Sequence, residues 1–365
     1  MFIDIVAGAR PNFMKIAPII KAINKSPETK KKLPFRLVHT GQHYDKQMSE
    51  SFFKQLGLDD PDINLSVGSG THAEQTSAIM KKYETLLMRD CPKLCIVVGD
   101  VNSTLACSIV AKKFGIEVAH VEGGIRSGDL NMPEEINRII TDSITDWFFT
   151  TSIFANDNLL RSGVDRSRIF FVGNTMIDTL LANMSRLKKP KDIGSLGVAV
   201  GNYLVLTLHR PSNVDDLMTL RKILDIIDNN CKDRSVVFPA HPRTREKLSS
   251  IEISSFRNLK IIEPQPYLEF NWLVNNSIGV ITDSGGITEE TTVLNIPCIT
   301  IRDTTERPET VSMGSNELIG SNLKFLEQKL LQLVEGTWKT STIPPLWDGH
   351  AGERIVRELE RIVSF

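Results

Sequence analysis

Short apolar segments alternate with longer segments of helical periodicity along most of the chain. In the first half, this alternation predicts strands at 3–6, 37–39, 95–98, 118–120, 147–150 and 169–172. The segments between them predict helices at 13–24, 46–56, 73–88, 102–114, 133–145 and 154–162. Because the strands are continuously apolar and helices separate them, the pattern predicts a parallel sheet covered on both faces.

The same alternation restarts after a polar stretch at 185–201, which has the composition of a connector. It predicts strands at 203–207, 236–239, 260–262, 279–282 and 298–301, and helices at 214–230, 267–276, 286–294 and 324–336. We therefore predict an α/β protein with two Rossmann-like, doubly wound domains that face a cleft, divided at 172/173. In such sheets ligands bind at the carboxyl ends of strands, so the loops there are the places to look for function.

Composition and charge restrict the classes of partner. The 365 residues are 41% hydrophobic, and 44 acidic residues balance 43 basic ones, so the chain has no basic field for nucleic acid or a membrane surface. No apolar run approaches the roughly 18 residues that a membrane span needs. Arg10 and Lys15 interrupt the first apolar stretch, which is unlike a signal peptide, and the five cysteines have no metal-binding spacing. We expect a cytoplasmic protein with reduced thiols and no metal.

Two turns between a predicted strand and a predicted helix have the features of anion-binding sites. In the first, 8–12 (GARPN), Pro11 suits a first helical turn and Arg10 lies over the helix N-terminus. In the second, 282–290 (TDSGGITEE), small residues expose backbone N–H groups and Ser284 adds a hydroxyl. Glu290, one turn into that helix, is suited to vicinal ribose hydroxyls. The alternative for the first segment is an ordinary turn with a solvated arginine.

Carboxylates follow two further predicted strands. Asp100 ends the strand at 95–98, and its alternative is an ordinary helix N-cap. Glu122 and Glu134 lie in a glycine-rich loop and at the start of the helix that Pro133 begins. Such a pair can do acid–base chemistry if the environment raises the pKa of one member.

Other charged residues near strand ends have structural alternatives. Glu135 fits an interaction with the helix dipole, or an ion pair with Arg138 or Arg126. His209 and His241 each follow a predicted strand with an arginine close by. A single histidine in that place is usually structural, but two in one domain favour a site.

One segment imitates a dinucleotide-binding motif. Residues 68–73 (GSGTHA) match G-x-G-x-x-A, but they do not lie in the first strand–helix unit. The acid about 20 residues further on, Asp90, precedes a predicted strand instead of ending one. We therefore expect no NAD and no other cofactor.

Taken together, these segments resemble the non-hydrolysing UDP-N-acetylglucosamine 2-epimerases over essentially the whole chain. The matching segments are GARPNFMKIAP, HTGQHYD, VVGDVNSTLA, HVEGGIRSGDLNMPEEINR, VGNTMIDTL, TLHRPSN, TDSGGITEE and IRDTTERPE. The resemblance implies a fold like that of the GT-B glycosyltransferases, with 350–365 as a last helix that crosses back to the first domain. It also implies a UDP-sugar substrate, interconversion of UDP-GlcNAc and UDP-ManNAc through a glycal, and a homodimer.

The resemblance assigns roles to individual residues. The diphosphate would be held by Arg10, Ser284, Gly285, Gly286 and Arg307, the ribose by Glu290, and Phe270 would lie near uracil. Lys15, Arg126 and His241 would also contact the substrate. Asp100, Glu122, Glu134 and His209 match the positions of the catalytic groups.

The chain departs from the family at a few positions, and other functions compete. Members commonly have alanine at Gly123 and glutamate at Asn12 and Ser212, and the last two differences suggest a different sugar, such as a diacetamido-uronic acid. The residues that follow Gln42 and those at 68–70 lack the groups of substrate-activated members. The competing functions are a GT-B glycosyltransferase, a hydrolysing relative that releases N-acetylmannosamine and UDP, and a non-catalytic nucleotide-sugar sensor.

Overall fold

The computed structural model describes residues 2–41, 53, 55–194 and 196–363. The chain forms two compact units, which we call unit 1 (Met1–Ala182 and Pro345–Phe365) and unit 2 (Asn183–Pro344). Most of the helix predicted at 46–56 lies outside the described residues, as does the segment that begins with Gln42.

The described residues of unit 1 form a parallel sheet of seven strands in the order β3-β2-β1-β4-β5-β6-β7. Its strands are β1 (Ile3–Ala7), β2 (Phe35–His39), β3 (Ile63–Asn64), β4 (Leu94–Val98), β5 (Glu117–Val121), β6 (Trp147–Thr150) and β7 (Ile169–Phe171). The two-residue β3 was not predicted, because it is too short to show a periodicity. Strands β1 and β4 are buried at every position, as strands covered by helices on both faces of a parallel sheet require.

Helices connect these strands and cover the sheet. They are α1 (Arg10–Asn24), α2 (Pro27–Lys32), α3 (His72–Arg89), α4 (Asn102–Lys113), α5 (Pro133–Ile144), α6 (Ile153–Arg161), α7 (Thr175–Asn183) and α15 (Ala351–Ile362). Asp178 on α7 caps α15, because its carboxylate accepts from the backbone N–H groups of Ala351 (3.1 Å) and Gly352 (2.7 Å). A Cβ on Gly352 would lie 2.7 Å from the backbone of Pro18, so glycine allows α15 to approach α1 closely. The last helix therefore belongs to unit 1.

Unit 2 contains a parallel sheet of six strands in the order β10-β9-β8-β11-β12-β13. Its strands are β8 (Tyr203–Thr207), β9 (Ser235–Pro239), β10 (Leu259–Ile262), β11 (Gly279–Thr282), β12 (Cys298–Thr300) and β13 (Asn316–Leu318). Its helices are α8 (Pro211–Val214), α9 (Leu217–Asn230), α10 (Pro242–Leu248), α11 (Tyr267–Asn275), α12 (Gly285–Val293), α13 (Pro308–Ser312) and α14 (Leu323–Glu335). The predicted helix at 214–230 begins later, because Asp216 caps α9 by accepting from the N–H groups of Met218 and Thr219.

Each sheet has its own apolar core. The strand side chains pack against the covering helices, and the prediction of two doubly wound α/β domains with parallel sheets is confirmed. Cys95, Cys107 and Cys298 are buried in these cores as free thiols. In the part of the chain that the structure describes, no helix has the length and apolar character to cross a membrane.

Candidate active site

The strand orders place two topological switch points in the molecule. In unit 1 the order changes direction between β1 and β4, and in unit 2 it changes between β8 and β11. The loops that leave the carboxyl ends of two such strands diverge to opposite faces and open a crevice, which is where ligands bind in these folds. Arg10 and Asp100 follow β1 and β4, and His209 and Ser284 follow β8 and β11. These residues, which the sequence predicted for the site, therefore lie at the carboxyl ends of the strands in each sheet.

Asn12 ties the two loops of the unit 1 switch point together. Its Oδ1 accepts from the N–H groups of Gly8 (3.2 Å) and Ala9 (3.0 Å), and its Nδ2 donates to the carbonyl oxygen of Val98 (3.2 Å) at the end of β4. The side chain is buried and its contacts are with backbone. Asn12 therefore shapes the turn through its hydrogen bonds to the backbone. Arg10, the first residue of α1, is exposed at this turn.

Lys15 and Glu122 form a buried ion pair beside this turn. Lys15 Nζ lies 2.6 Å from Glu122 Oε2, and the side chains are only 13% and 3% exposed. A Cβ on Gly99 would lie 3.2 Å from Lys15 Nζ, so the glycine leaves room for the pair. Glu122 itself has φ +70°, a left-handed conformation that is costly for a residue other than glycine. The fold thus holds this carboxylate against a cation in a strained turn directly after β5.

Asp100 is held by Arg138 of α5. Arg138 Nε and Nη2 donate to Asp100 Oδ2 at 3.0 and 2.5 Å, and its Nη1 donates to Glu135 Oε2 at 2.8 Å. The N-cap of α4 is Val101, so the alternative interpretation of Asp100 as a helix cap is wrong. The predicted pairing of Glu135 with Arg138 is confirmed. Glu134, one residue earlier in the first turn of α5, is half-buried.

Hydrogen bonds set the charge of Glu135. Burial would raise its pKa, but hydrogen bonds from the Ser127 N–H, Arg138 and the Gly128 N–H together lower it below the usual range. Glu135 is thus an ionised anchor for the loop before α5 and not a proton donor. Arg126, the other predicted partner, donates to Asp142 Oδ2 at 2.6 Å.

In unit 2, Asp283 orients His209. The Nδ1 atom of His209 lies 3.0 Å from Asp283 Oδ1, and Asp283 also accepts from the N–H groups of His209 and Arg210 and from Asn213 Nδ2. Burial would raise the pKa of Asp283, but the hydrogen bond and charge of His209 and the bonds from Arg210 and Asn213 lower it. His209 is 47% exposed, so its other ring nitrogen can face a ligand while the carboxylate fixes the ring.

Asp283 was not singled out from the sequence. It lies within the segment 282–290, where the anion-binding pattern drew attention to the residues that follow it. Its partner is 74 residues earlier along the chain, and only the pairing of β8 with β11 brings the two together. A carboxylate after one strand and a histidine after another are a usable signal once the strand order is known.

The N-terminus of α12 provides the predicted anion site in unit 2. Ser284 is the N-cap, its side chain makes no capping hydrogen bond, and Gly285 and Gly286 form the first turn. Backbone N–H groups in a first helical turn have no partner within the helix and point along its axis. A Cβ on Gly286 would meet no atom within 4 Å, so the backbone is open to a ligand at that residue.

Glu290 is buried one turn further along α12. Burial raises its pKa to about 7, the neighbouring side chains of Asn271 and Tyr267 oppose the shift, and the charge of Glu289 adds to it. Asn271 Nδ2 donates to Glu290 Oε1 at 3.4 Å. The result is a carboxyl group that changes charge near neutral pH.

The remaining predicted ligand residues lie on neighbouring elements. Arg307, buried at the start of α13, forms an ion pair with Glu289. His241 is exposed after β9 as the N-cap of α10, and Phe270 is half-buried on α11. In the described part of the chain, no three His, Cys, Asp or Glu side chains gather in a way that would hold a metal ion.

Comparison with known proteins identifies the family. A family profile described as UDP-N-acetylglucosamine 2-epimerase matches residues 25–360. UDP-N-acetylglucosamine 2-epimerase of Methanocaldococcus jannaschii is 41% identical over 98% of this chain and 99% of the relative. The crystal structure of the M. jannaschii UDP-GlcNAc 2-epimerase in complex with UDP-GlcNAc and UDP has a TM-score of 0.84, 42% identity, and coverage of 99% of this chain and 100% of that one. UDP-2,3-diacetamido-2,3-dideoxy-D-glucuronate 2-epimerase of Pseudomonas aeruginosa is 38% identical over 87% of each chain.

The fold and these matches define an enzyme of the isomerase class, an epimerase with two parallel α/β units. Within that class, the chain belongs to the UDP-N-acetylglucosamine 2-epimerase family.

Proposed function

We propose that the protein interconverts UDP-GlcNAc and UDP-ManNAc without releasing the free sugar. The observation that carries the proposal is the set of carboxylates at the unit 1 switch point. Asp100 and Glu122 follow adjacent strands, and each is paired with a cation, Arg138 and Lys15. A reaction that moves a proton on and off carbon while charge develops on the sugar needs such groups.

The chemistry follows from the position of the reacting carbon. C2 of an N-acetylhexosamine is not next to a carbonyl group, so direct removal of its proton is prohibitive. The route we propose breaks the C1–O bond, with the electron pair leaving on UDP, while a carboxylate takes the C2 proton and a glycal forms. UDP oxygen then adds back to C1, and a proton is delivered to the opposite face of C2. Asp100, Glu122 and Glu134 supply the base, the acid and the stabilisation of positive charge between them.

UDP recognition is proposed for a second set of residues. The N–H groups of Gly285 and Gly286, the Ser284 hydroxyl, Arg10 and Arg307 bind the diphosphate and stabilise its charge as it departs. The ribose is bound by Glu290, the uracil lies near Phe270, and the substrate also contacts His209, His241, Lys15 and Arg126. The open first turn of α12 and the buried carboxyl of Glu290 support this assignment.

Proton NMR of the purified protein with UDP-GlcNAc in heavy water tests the function. We expect UDP-ManNAc to accumulate to equilibrium, with deuterium at C2 of both sugars and without added NAD. Free N-acetylmannosamine and UDP would instead indicate a hydrolysing enzyme. Turnover of a diacetamido-glucuronate substrate alone would show that the enzyme acts on a different sugar. Binding without turnover would indicate a non-catalytic sensor. A Glu122→Gln sample is the matched control for a contaminating epimerase.

We further propose a cytoplasmic homodimer. Ile136, Ile139 and Ile140 are exposed on one face of α5, and apolar residues at this spacing on a surface helix are suited to a second copy of the chain. The free cysteines are consistent with a reducing compartment. Sedimentation equilibrium of the wild type and of Ile139→Glu tests the dimer, which the charged variant is expected to dissociate.

A further inference from the structure

A fully buried histidine connects two of the segments that carry candidate catalytic carboxylates. His120 lies in β5 and is 0% exposed. Its Nε2 lies 2.7 Å from the carbonyl oxygen of Gly99, the residue immediately before Asp100. Its Nδ1 lies 2.7 Å from Oδ1 of Asp142, on the helix α5. One imidazole thus joins the loop of Asp100 to the helix whose first turn contains Glu134.

Asp142 extends the connection to the third carboxylate. Its Oδ2 accepts from the N–H of Gly124 at 3.0 Å, two residues after Glu122, and from Arg126 at 2.6 Å. Asn158 Nδ2 donates to the carbonyl oxygen of Gly124 at 2.9 Å. The turn that holds Glu122 in its left-handed conformation is therefore fixed from both sides.

The hydrogen-bond partners of this network fix the orientation of the ring. A carbonyl oxygen only accepts, so Nε2 of His120 carries a proton. Burial would raise the pKa of Asp142, but the hydrogen bonds and charges of His120 and Arg126 hold it below the ordinary value. The 2.7 Å between Nδ1 and Oδ1 is the distance of a short hydrogen bond, and both side chains are removed from solvent.

Gly123 leaves room for a buried aromatic ring beside this pair. A Cβ at residue 123 would lie 2.9 Å from Cδ1 of buried Phe148, and 3.4 Å from both Asp142 Oδ1 and His120 Nδ1. Only the contact with Phe148 is closer than an ordinary van der Waals contact. Glycine at 123 therefore lets Phe148 pack against the turn next to the pair.

We propose that the buried, hydrogen-bonded pair of His120 and Asp142 is a positioning element that fixes Asp100, Glu122 and the start of α5 relative to one another. The inference rests on the proposed function for the roles of these carboxylates. Neither residue of the pair is exposed to a substrate, so both act through the groups they hold. A small displacement of a reacting group costs much of the rate while leaving ligand binding nearly unchanged.

Two substitutions at Asp142 separate the effect of its hydrogen bonds from the effect of its side-chain size. In Asp142→Asn, the amide oxygen still accepts from Gly124 and Arg126, and the amide NH₂ donates to a neutral His120. In Asp142→Leu, a side chain of similar size makes none of these bonds. We expect kcat to fall about 100-fold in the leucine variant and less than about 5-fold in the asparagine variant. KM and the Kd of UDP should stay within about 2-fold of wild type in both variants.

Asp4→Leu is the matched control. Asp4 is also fully buried, in β1 of the same sheet, and accepts from Arg36 and Tyr83. Its loss should lower the melting temperature in a similar way but leave kcat within about 2-fold. A kcat of Asp142→Leu equal to wild type, or equal losses in Asp142→Leu and Asp4→Leu, would overturn the proposal. A wild type that does not epimerise UDP-GlcNAc would instead refute the proposed function.

A second measurement needs no destabilised variant. In ¹⁵N-histidine spectra of the wild type, the His120 ring, assigned by its loss in His120→Gln, should show a protonated Nε2. In Asp142→Asn the protonated Nε2 should be retained. A wild-type ring without a proton on Nε2 would overturn the hydrogen-bond network on which the proposal stands.

Discussion

We predict that nucleotide binding depends on pH through the buried carboxyl of Glu290, the proposed ribose ligand. Burial raises its pKa to about 7 in the protein without ligand. Ribose hydroxyls donate hydrogen bonds most strongly to an ionised carboxylate, so binding selects the deprotonated form. Lowering the pH below 7 therefore adds the free energy of removing a proton to each binding event. The expected result is a weaker affinity in acid.

The magnitude follows from the fraction of ionised Glu290. With a pKa of about 7, the apparent Kd is multiplied by about 1.1 at pH 8 and by about 11 at pH 6. The difference of about tenfold corresponds to about 1.4 kcal/mol.

Calorimetry with UDP-glucose at pH 6 to 8 measures this dependence. The esterified diphosphate does not titrate in that range, whereas the terminal phosphate of UDP does. Glu290→Gln is the control, since it retains the size of the side chain and removes its titration. Its affinity should be lower at pH 8 and should not weaken further toward pH 6. A wild-type Kd that rises no more than that of Glu290→Gln between pH 8 and pH 6 would refute the reasoning.

Three further outcomes are expected. Glu122→Gln should lower kcat at least about 1000-fold and change the Kd of UDP less than about 2-fold, because the carboxylate acts in the transition state. Comparable losses of kcat and of UDP affinity would contradict its catalytic role. Asp283→Asn should lower kcat about 100-fold, because the amide can hold the wrong tautomer of His209. An unchanged ¹⁵N signature of the His209 ring would contradict this explanation. Gly123→Ala should destabilise the fold by about 1–3 kcal/mol in denaturant unfolding, because its Cβ would press on Phe148; a variant as stable as wild type would show that the site relaxes.

The sheets could largely be predicted from the sequence, because buried parallel strands are unambiguous apolar runs between helical segments. The strands at 147–150, 203–207 and 279–282 have the predicted bounds. Short edge strands could not be predicted, since Ile63–Asn64 and Asn316–Leu318 contain too few residues for a period. The later start of α9 was also missed. Apolar residues continue at helical spacing through this segment, although the Asp216 cap begins a new helix there.

Individual charged residues could be placed at strand ends, but their partners could not. Glu135 and Arg138 are three residues apart on one helix, and their pairing was among the predicted alternatives. Asp100 and Arg138 are 38 residues apart, and Lys15 and Glu122 are 107 residues apart. These contacts depend on which strands are neighbours in the sheet, and the order of chain elements alone does not determine that.

The two units use one arrangement for two different purposes. In each, an aspartate accepts from a histidine ring and from backbone N–H groups of a turn at the functional edge of a parallel sheet. The difference lies in exposure, because the His120 side chain is 0% exposed and the His209 side chain is 47% exposed. A ring whose two nitrogens both face protein acceptors can only hold its surroundings in place. A ring with one nitrogen bound to an aspartate and the other side open to solvent can exchange a proton or donate to a departing diphosphate.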